Sequence, residues 1–177
     1  ESRNLGLKKS QSDYIAFLDA DDYWYPDKLI QQILVLQNSD SALVGCYTHL
    51  VINGKTIRDA PNKSDFRGLC FNGNDIGMSS SIIKCCAIKG AEFESIGHED
   101  YKFWLDILAN GGYLKLTSEV RNLNQMTYYE NTQKSLSSNK LKAAFWTMNI
   151  LFSVLPVHLA FYCSCRYILK NIKRLIH

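Results

Sequence analysis

Apolar residues in this chain come in short runs divided by polar loops, and the first run is the most telling. Tyr14-Ile15-Ala16-Phe17-Leu18 is five mostly apolar residues long. It is too short for a helix and rich in aromatic and branched side chains, so it predicts a buried parallel strand. The run stops at Asp19-Ala20-Asp21-Asp22. Beyond it, Pro26 suits the first turn of a helix and Asp27 the positive end of that helix. Leu29, Ile30, Ile33, Leu34 and Gln37 then fall at helical spacing, with Lys28, Gln31 and Gln32 facing elsewhere. The segment therefore reads strand, acidic loop, helix.

The rest of the chain alternates in the same way. Arg3 to Lys9 reads as the end of a helix. Ala42 to Ile52 is strand-like, Asn53-Gly54 is a hairpin turn signal, and Lys55 to Ile57 returns. Arg58 to Asp65 reads as a loop, and Leu69 to Gly77 is Asn- and Gly-rich. Met78 to Lys84 is strand-like. His98 to Ala109 has helical period, with Tyr101, Trp104, Leu105 and Leu108 on one face and Asn110-Gly111-Gly112 as its C-cap. Tyr113 to Thr117 predicts a short strand, and Thr127 to Asn139 a polar loop.

The tail has another pattern. Between Lys142 and Arg166 there is no Asp, Glu, Lys or Arg, and basic residues Arg166, Lys170, Lys173 and Arg174 follow. The length would permit a membrane span, yet Asn149, Pro156 and His158 sit in the middle, which is costly or kinking in lipid. Two amphipathic helices broken near Pro156 fit better, either on a membrane surface with their basic residues at the headgroups or packed on the domain itself.

At 177 residues, 46% hydrophobic and 21% charged, the chain has the length for one globular core. A net charge of +3 is too mild to argue for nucleic acid. The six cysteines form no C-x-x-C pair and no zinc spacing, and read as reduced thiols in apolar surroundings. No signal peptide or internal repeat is visible.

The acidic loop is where the chemistry points. The C-terminal end of an α/β strand is where open sheets bind ligands. Three carboxylates there repel one another unless a cation lies between them, and a hard ion such as Mg²⁺ or Mn²⁺ suits oxygen ligands and substrate phosphates. The plain alternative is a solvated acidic turn, with Asp22 capping the next helix.

Three groups of residues resemble a known family. Ser2-Arg3-Asn4-Leu5-Gly6-Leu7, Asp13 to Asp22 and Trp24-Tyr25-Pro26-Asp27-Lys28-Leu29 look like the middle of a family 2 glycosyltransferase of the GT-A fold. Gly97-His98-Glu99-Asp100-Tyr101-Lys102-Phe103-Trp104-Leu105 resembles the family's second signature. Tyr128-Tyr129 with Ser135 to Lys140 resembles its third. The resemblance runs to about Lys142. It implies an α/β protein with a mixed, mostly parallel sheet flanked by helices. Residues 1–142 would form a GT-A domain lacking its first strands, and 143–177 an apolar then basic helical tail, lying on a membrane or packed on the domain. The early entry into a mid-domain motif is read as an N-terminally incomplete enzyme.

The resemblance also implies an activity: inverting, metal-dependent transfer of a sugar from a nucleotide-diphosphate donor, a UDP-sugar foremost, to a saccharide or lipid-linked acceptor. The setting would be cell-surface polysaccharide synthesis, in the cytoplasm at the inner face of the plasma membrane. Asp21 would coordinate Mg²⁺ or Mn²⁺, with Asp19 nearer the ribose or a metal water. Asp100 would be the base, with Glu99 beside it holding geometry or acceptor. Arg3 and Asn4 would lie near the nucleotide. Glu99 and Asp100 also suit a helix N-terminus without any catalysis, and His98 reads as a solvent-facing residue before that helix. Relatives often carry Arg and His after the paired tyrosines; here Glu130 and Thr132 stand there, with Lys134 and Lys140 as nearby cations. Rival readings are a non-catalytic remnant and an aspartyl-phosphate phosphatase, the latter disfavoured by Tyr23.

Overall fold

The computed structural model describes residues 2–20, 22–40, 43–45, 48–52, 55–59, 66–109, 114–116, 127–130 and 140–176. The elements run α1 (Ser2–Lys9), β1 (Tyr14–Ala16), β2 (Tyr23–Trp24), α2 (Lys28–Gln37), β3 (Leu43–Gly45), β4 (Thr48–Ile52), β5 (Lys55–Asp59) and α3 (Phe66–Asn72). A 3-10 turn (Met78–Ser80) leads into β6 (Ile82–Lys84), α4 (Cys85–Ile88), α5 (Glu99–Ala109), β7 (Leu114–Leu116) and β8 (Thr127–Glu130). Two long helices, α6 (Lys140–Val154) and α7 (Val157–Ile176), follow.

The strands form two four-stranded sheets, ordered β1-β6-β3-β7 and β2-β8-β4-β5. Both are mixed. β3 runs parallel to β7 and β4 to β8, while the pairs β1–β6, β3–β6, β2–β8 and β4–β5 are antiparallel. Among the described residues the sheets are thus less parallel than expected, and β1 is an antiparallel edge strand rather than a buried parallel one. An apolar run reports burial, not direction. Direction comes from the connections, and β4–β5 turns back through two residues, which only an antiparallel pair allows. That return matches the Asn53-Gly54 signal, although the two turn residues lie outside the described set. The predicted loop at Thr127 begins instead with a strand, which holds Tyr128-Tyr129 between β2 and β4.

Helix α2 is rotated from its predicted face. It buries Lys28, Gln32, Val35 and Leu36, and leaves Leu29, Ile30 and Leu34 exposed. Hydrogen bonding explains the turn. Lys28 Nζ donates to Gln32 Oε1 at 2.8 Å and lies 4.3 Å over the Trp24 ring, while Gln32 Nε2 donates to Ser80 O at 2.8 Å. Satisfied polar groups can be buried at little cost. The cap is Asp27, without a side-chain capping bond, so Asp22 does not cap α2.

Helix α5 is the axis of the core. Tyr101, Phe103, Trp104, Leu105 and Ile107 are all fully buried, so it is covered nearly all round. It packs among Leu43, Leu69, Ile76 and Ile83 from the body and Ile150, Leu151, Ala160 and Cys163 from the last two helices. The break at Pro156 is as expected, but α6 and α7 share the core of the body through their inner faces, and Lys142 falls inside α6. Their outer faces keep Phe145, Phe152, Phe161 and Leu169 in the open. No helix among the described residues is long and apolar enough to cross a membrane.

Candidate functional site

Arg3, in the first turn of α1, forks between two distant motifs. Nη2 donates to Asp19 Oδ1 at 2.7 Å, and Nη1 donates to Glu99 Oε1 at 2.7 Å. The planar guanidinium offers each carboxylate its own nitrogen donor in one plane, a fixed fork that an ammonium lacks. Burial alone would lower the Arg3 pKa, but its bonds to Asp19 and Glu99 outweigh that and raise it above the ordinary value.

A rigid underlayer sets this fork. Asn4 Nδ2 donates to Phe93 O, and the Phe93 N–H donates to Asn4 Oδ1, both at 2.8 Å. The side-chain amide thus pairs with the main chain as a strand would, locking α1 to the loop before α5. The Phe93 ring stacks on Phe103 at 4.1 Å and meets Phe17 edge-on at 5.3 Å. Arg3 lies 5.6 Å over Phe93. Phe17 of the first apolar run, the loop before α5 and α5 itself are therefore packed as one unit beneath the guanidinium.

The acidic loop is shaped by the main chain. The Asp22 N–H donates to Asp19 O at 3.1 Å, closing a tight turn just beyond β1. The Asp19 N–H donates to Ser79 Oγ at 3.0 Å, and Trp24 Nε1 donates to Ser79 O at 2.7 Å, so Ser79 ties both ends of the turn to the 3-10 segment. Asp21 lies outside the described residues. The chemistry of the loop is all-oxygen and suits Mg²⁺ or Mn²⁺. Among the described residues no three His, Cys, Asp or Glu side chains converge as a metal cluster, so they do not complete a ligand set without Asp21.

The second motif begins with two constrained residues. An added Cβ at Gly97 would lie 1.9 Å from Trp146 Cδ2, so the α6 indole rests on bare backbone. His98 sits at φ 60°, left-handed, and turns the chain into α5. Its ring is half-buried and edge-on to Trp146 at 5.4 Å, not simply turned to solvent as expected. Glu99 then faces Arg3. Asp100 faces the other way: Oδ2 accepts from Asn74 Nδ2 at 2.7 Å and Oδ1 from the Tyr101 N–H at 2.8 Å. Burial pushes the Asp100 carboxyl above its usual range, and the Tyr101 N–H only partly opposes this.

Of the residues singled out from sequence, Arg3, Asp19 and Glu99 are brought into contact, and Asp100 adjoins them. Asn4 stands one residue away but spends both ends of its amide on Phe93. Ser79, Asn74 and Trp146 were not singled out, though each governs a motif residue. A signal existed for Asn74, in the run Asn72-Gly73-Asn74. None existed for Trp146, which is 48 positions beyond His98.

Comparison with known proteins fixes the family. Residues 1–98 match the description Glycosyl transferase family 2. The chain belongs to this family. Over 177 aligned residues it is 30% identical to the UDP-Glc:alpha-D-GlcNAc-diphosphoundecaprenol beta-1,3-glucosyltransferase WfaP of Escherichia coli, covering 97% of this chain and 67% of the relative. It is 36% identical over 155 residues to an uncharacterized glycosyltransferase of Haemophilus influenzae, covering 85% of this chain and 60% of that one. Staphylococcus aureus TarS 1–349, solved in complex with UDP, superposes with a TM-score of 0.64 at 14% identity, over 97% of this chain and half of that structure. This family 2 chain therefore has the GT-A fold, and spans about half to two thirds of the proteins it resembles.

Proposed function

We propose that the chain carries the reacting centre of an inverting glycosyltransferase, with donor and acceptor meeting between Asp19 and Asp100. The reading rests on one observation above others: Arg3 joins the acidic loop to the Glu99-Asp100 motif through two 2.7 Å bonds. The names of relatives supply the substrate classes. The donor is a nucleotide-diphosphate sugar, a UDP-sugar foremost. The acceptor is a saccharide or lipid-linked saccharide of cell-surface polysaccharide synthesis.

The chemistry follows from the placements. The acceptor O–H forms a bond to the anomeric carbon as the bond from that carbon to the diphosphate oxygen breaks. Asp100 takes the hydroxyl proton. Its raised pKa suits that work, because a base is most effective when its pKa approaches the working pH. A single base opposite the leaving group gives inversion. Glu99 holds Arg3, and Arg3 in turn holds Asp19 at the nucleotide. Asn4 positions Arg3 by fixing α1. Asp21, with Asp19, would hold Mg²⁺ or Mn²⁺, which supplies Lewis-acid neutralisation of the leaving diphosphate when bound. The exposed apolar residues of α6 and α7 support a reading in which the enzyme works at a membrane surface, where a lipid-linked acceptor would reside.

The test is transfer from UDP-glucose to a synthetic diphospho-lipid GlcNAc, with the product's anomeric configuration read by NMR. The proposal expects a β-linked product from the α-linked donor, and a loss of about 10²–10⁴-fold in kcat for Asp100→Asn. Retention of configuration, or an Asp100→Asn variant as active as the parent, would contradict it.

A further inference from the structure

A cavity of about 290 Å³ opens on the side of Asp100 away from Arg3. Its wall is shared by the body and the last two helices: Asn72 and Asn74 after α3, His98 before α5, Lys140 at the start of α6, and Tyr167 and Asn171 on α7. Three observations say what it could hold. Asn74 links the cavity to the proposed base, because the same side chain that lines it donates to Asp100 Oδ2. The lining is rich in amide, imidazole and phenol groups and includes one cation, Lys140, and no carboxylate. Lys140 has no carboxylate partner among the described residues, and a second ammonium, Lys170, sits behind the wall, bonded to Asn72 Oδ1.

A cation beside amide donors matches a ligand with an anionic, hydroxyl-rich head.

We infer that this cavity is the acceptor subsite, and that it takes the diphosphate and first sugar of a lipid-linked saccharide, with Lys140 on the diphosphate. The inference rests on the transferase reading above and adds to it the residues that select the acceptor. The sugar hydroxyl would then approach Asp100 from the Asn74 side, while the donor occupies the Arg3 side. The backbone at Gly73 is part of the wall's construction. It has φ +83°, and a Cβ there would come within 2.8 Å of the Tyr167 ring, so α7 closes directly on this turn.

Calorimetric titration of the purified chain tests the assignment. The probes are an octyl-diphospho-GlcNAc, the octyl glycoside of GlcNAc without phosphate, and inorganic diphosphate. Each is titrated into the parent, Lys140→Glu and Ala143→Phe, the last to fill the cavity from the α6 side. UDP with Mn²⁺ is titrated in parallel. The expected result is binding of the octyl-diphospho sugar, weakened about tenfold or more by either substitution and by removal of the phosphate, with UDP affinity unchanged. Unaltered probe binding in both variants would overturn the inference, as would a chain that binds UDP but not the probe. Inorganic diphosphate binding as tightly as the octyl-diphospho sugar would overturn the saccharide assignment. Loss of UDP binding alone, with probe binding and its Lys140 dependence intact, would refute the donor reading and support the cavity.

Discussion

Arg3 and Glu99 are 96 positions apart in sequence and 2.7 Å apart in the fold. The same guanidinium holds Asp19, so the first helix fixes the distance between the acidic loop and the second motif. Arg3→Lys keeps the charge but cannot reach both carboxylates in one plane. It is expected to lower kcat/KM about tenfold, with a smaller effect on stability because the pair is partly exposed to water. Arg3→Ala and Glu99→Gln should be strongly non-additive, and a double-mutant cycle in kcat/KM measures that coupling.

Gly97 gives the last two helices a direct hold on the second motif. Ala at this position would set a methyl group inside the Trp146 ring, which must then move. Gly97→Ala is expected to cost about 1–3 kcal/mol, seen as a fall in Tm of about 2–4 °C for each kcal/mol. Because His98, Glu99 and Asp100 follow at once, activity should fall further than stability alone explains. Adding Trp146→Leu makes room for the methyl group and should recover part of both losses.

Asp100 should make stability depend on pH in a defined sense. Its carboxyl is raised in the folded protein above an ordinary value of about 3.9. Ionisation is therefore harder in the fold than in the unfolded chain, and the parent loses stability as pH rises from the ordinary value through the raised one. Asp100→Asn does not ionise. The difference in Tm between parent and Asp100→Asn should shift against the parent as pH rises through that window and level off above it. A constant difference from pH 4 to 8 would show that Asp100 titrates normally.

Local pattern carried much of the fold. The strand ending at the acids, the helix after Pro26, the hairpin at Ile52 and Lys55 and the break at Pro156 were all legible, because each rests on neighbours in sequence. Strand direction was not, because β6 is inserted between β1 and β3 by a connection that no local pattern records. The face of α2 was missed for another reason. Leu29, Ile30 and Leu34 made the more apolar stripe, but Lys28 and Gln32 found partners in Trp24 and Ser80, and those bonds decided the rotation. The site shows the same division. Asp19, Glu99 and Asp100 were visible as acids at element ends, but their union through Arg3 depends on tertiary packing. The cavity behind Asp100 depends on α6 and α7 folding back, and no spacing in the chain announces that.

A sugar-nucleotide site at the acidic loop and Arg3 is open to calorimetric titration of UDP, with and without Mn²⁺, on the parent, Arg3→Ala and Asp21→Ala. The account predicts metal-dependent binding in the parent, loss of the metal dependence in Asp21→Ala, and weakening of about tenfold or more in Arg3→Ala. A folded chain that does not bind UDP, or binds it equally with and without Mn²⁺ in all three proteins, would contradict it.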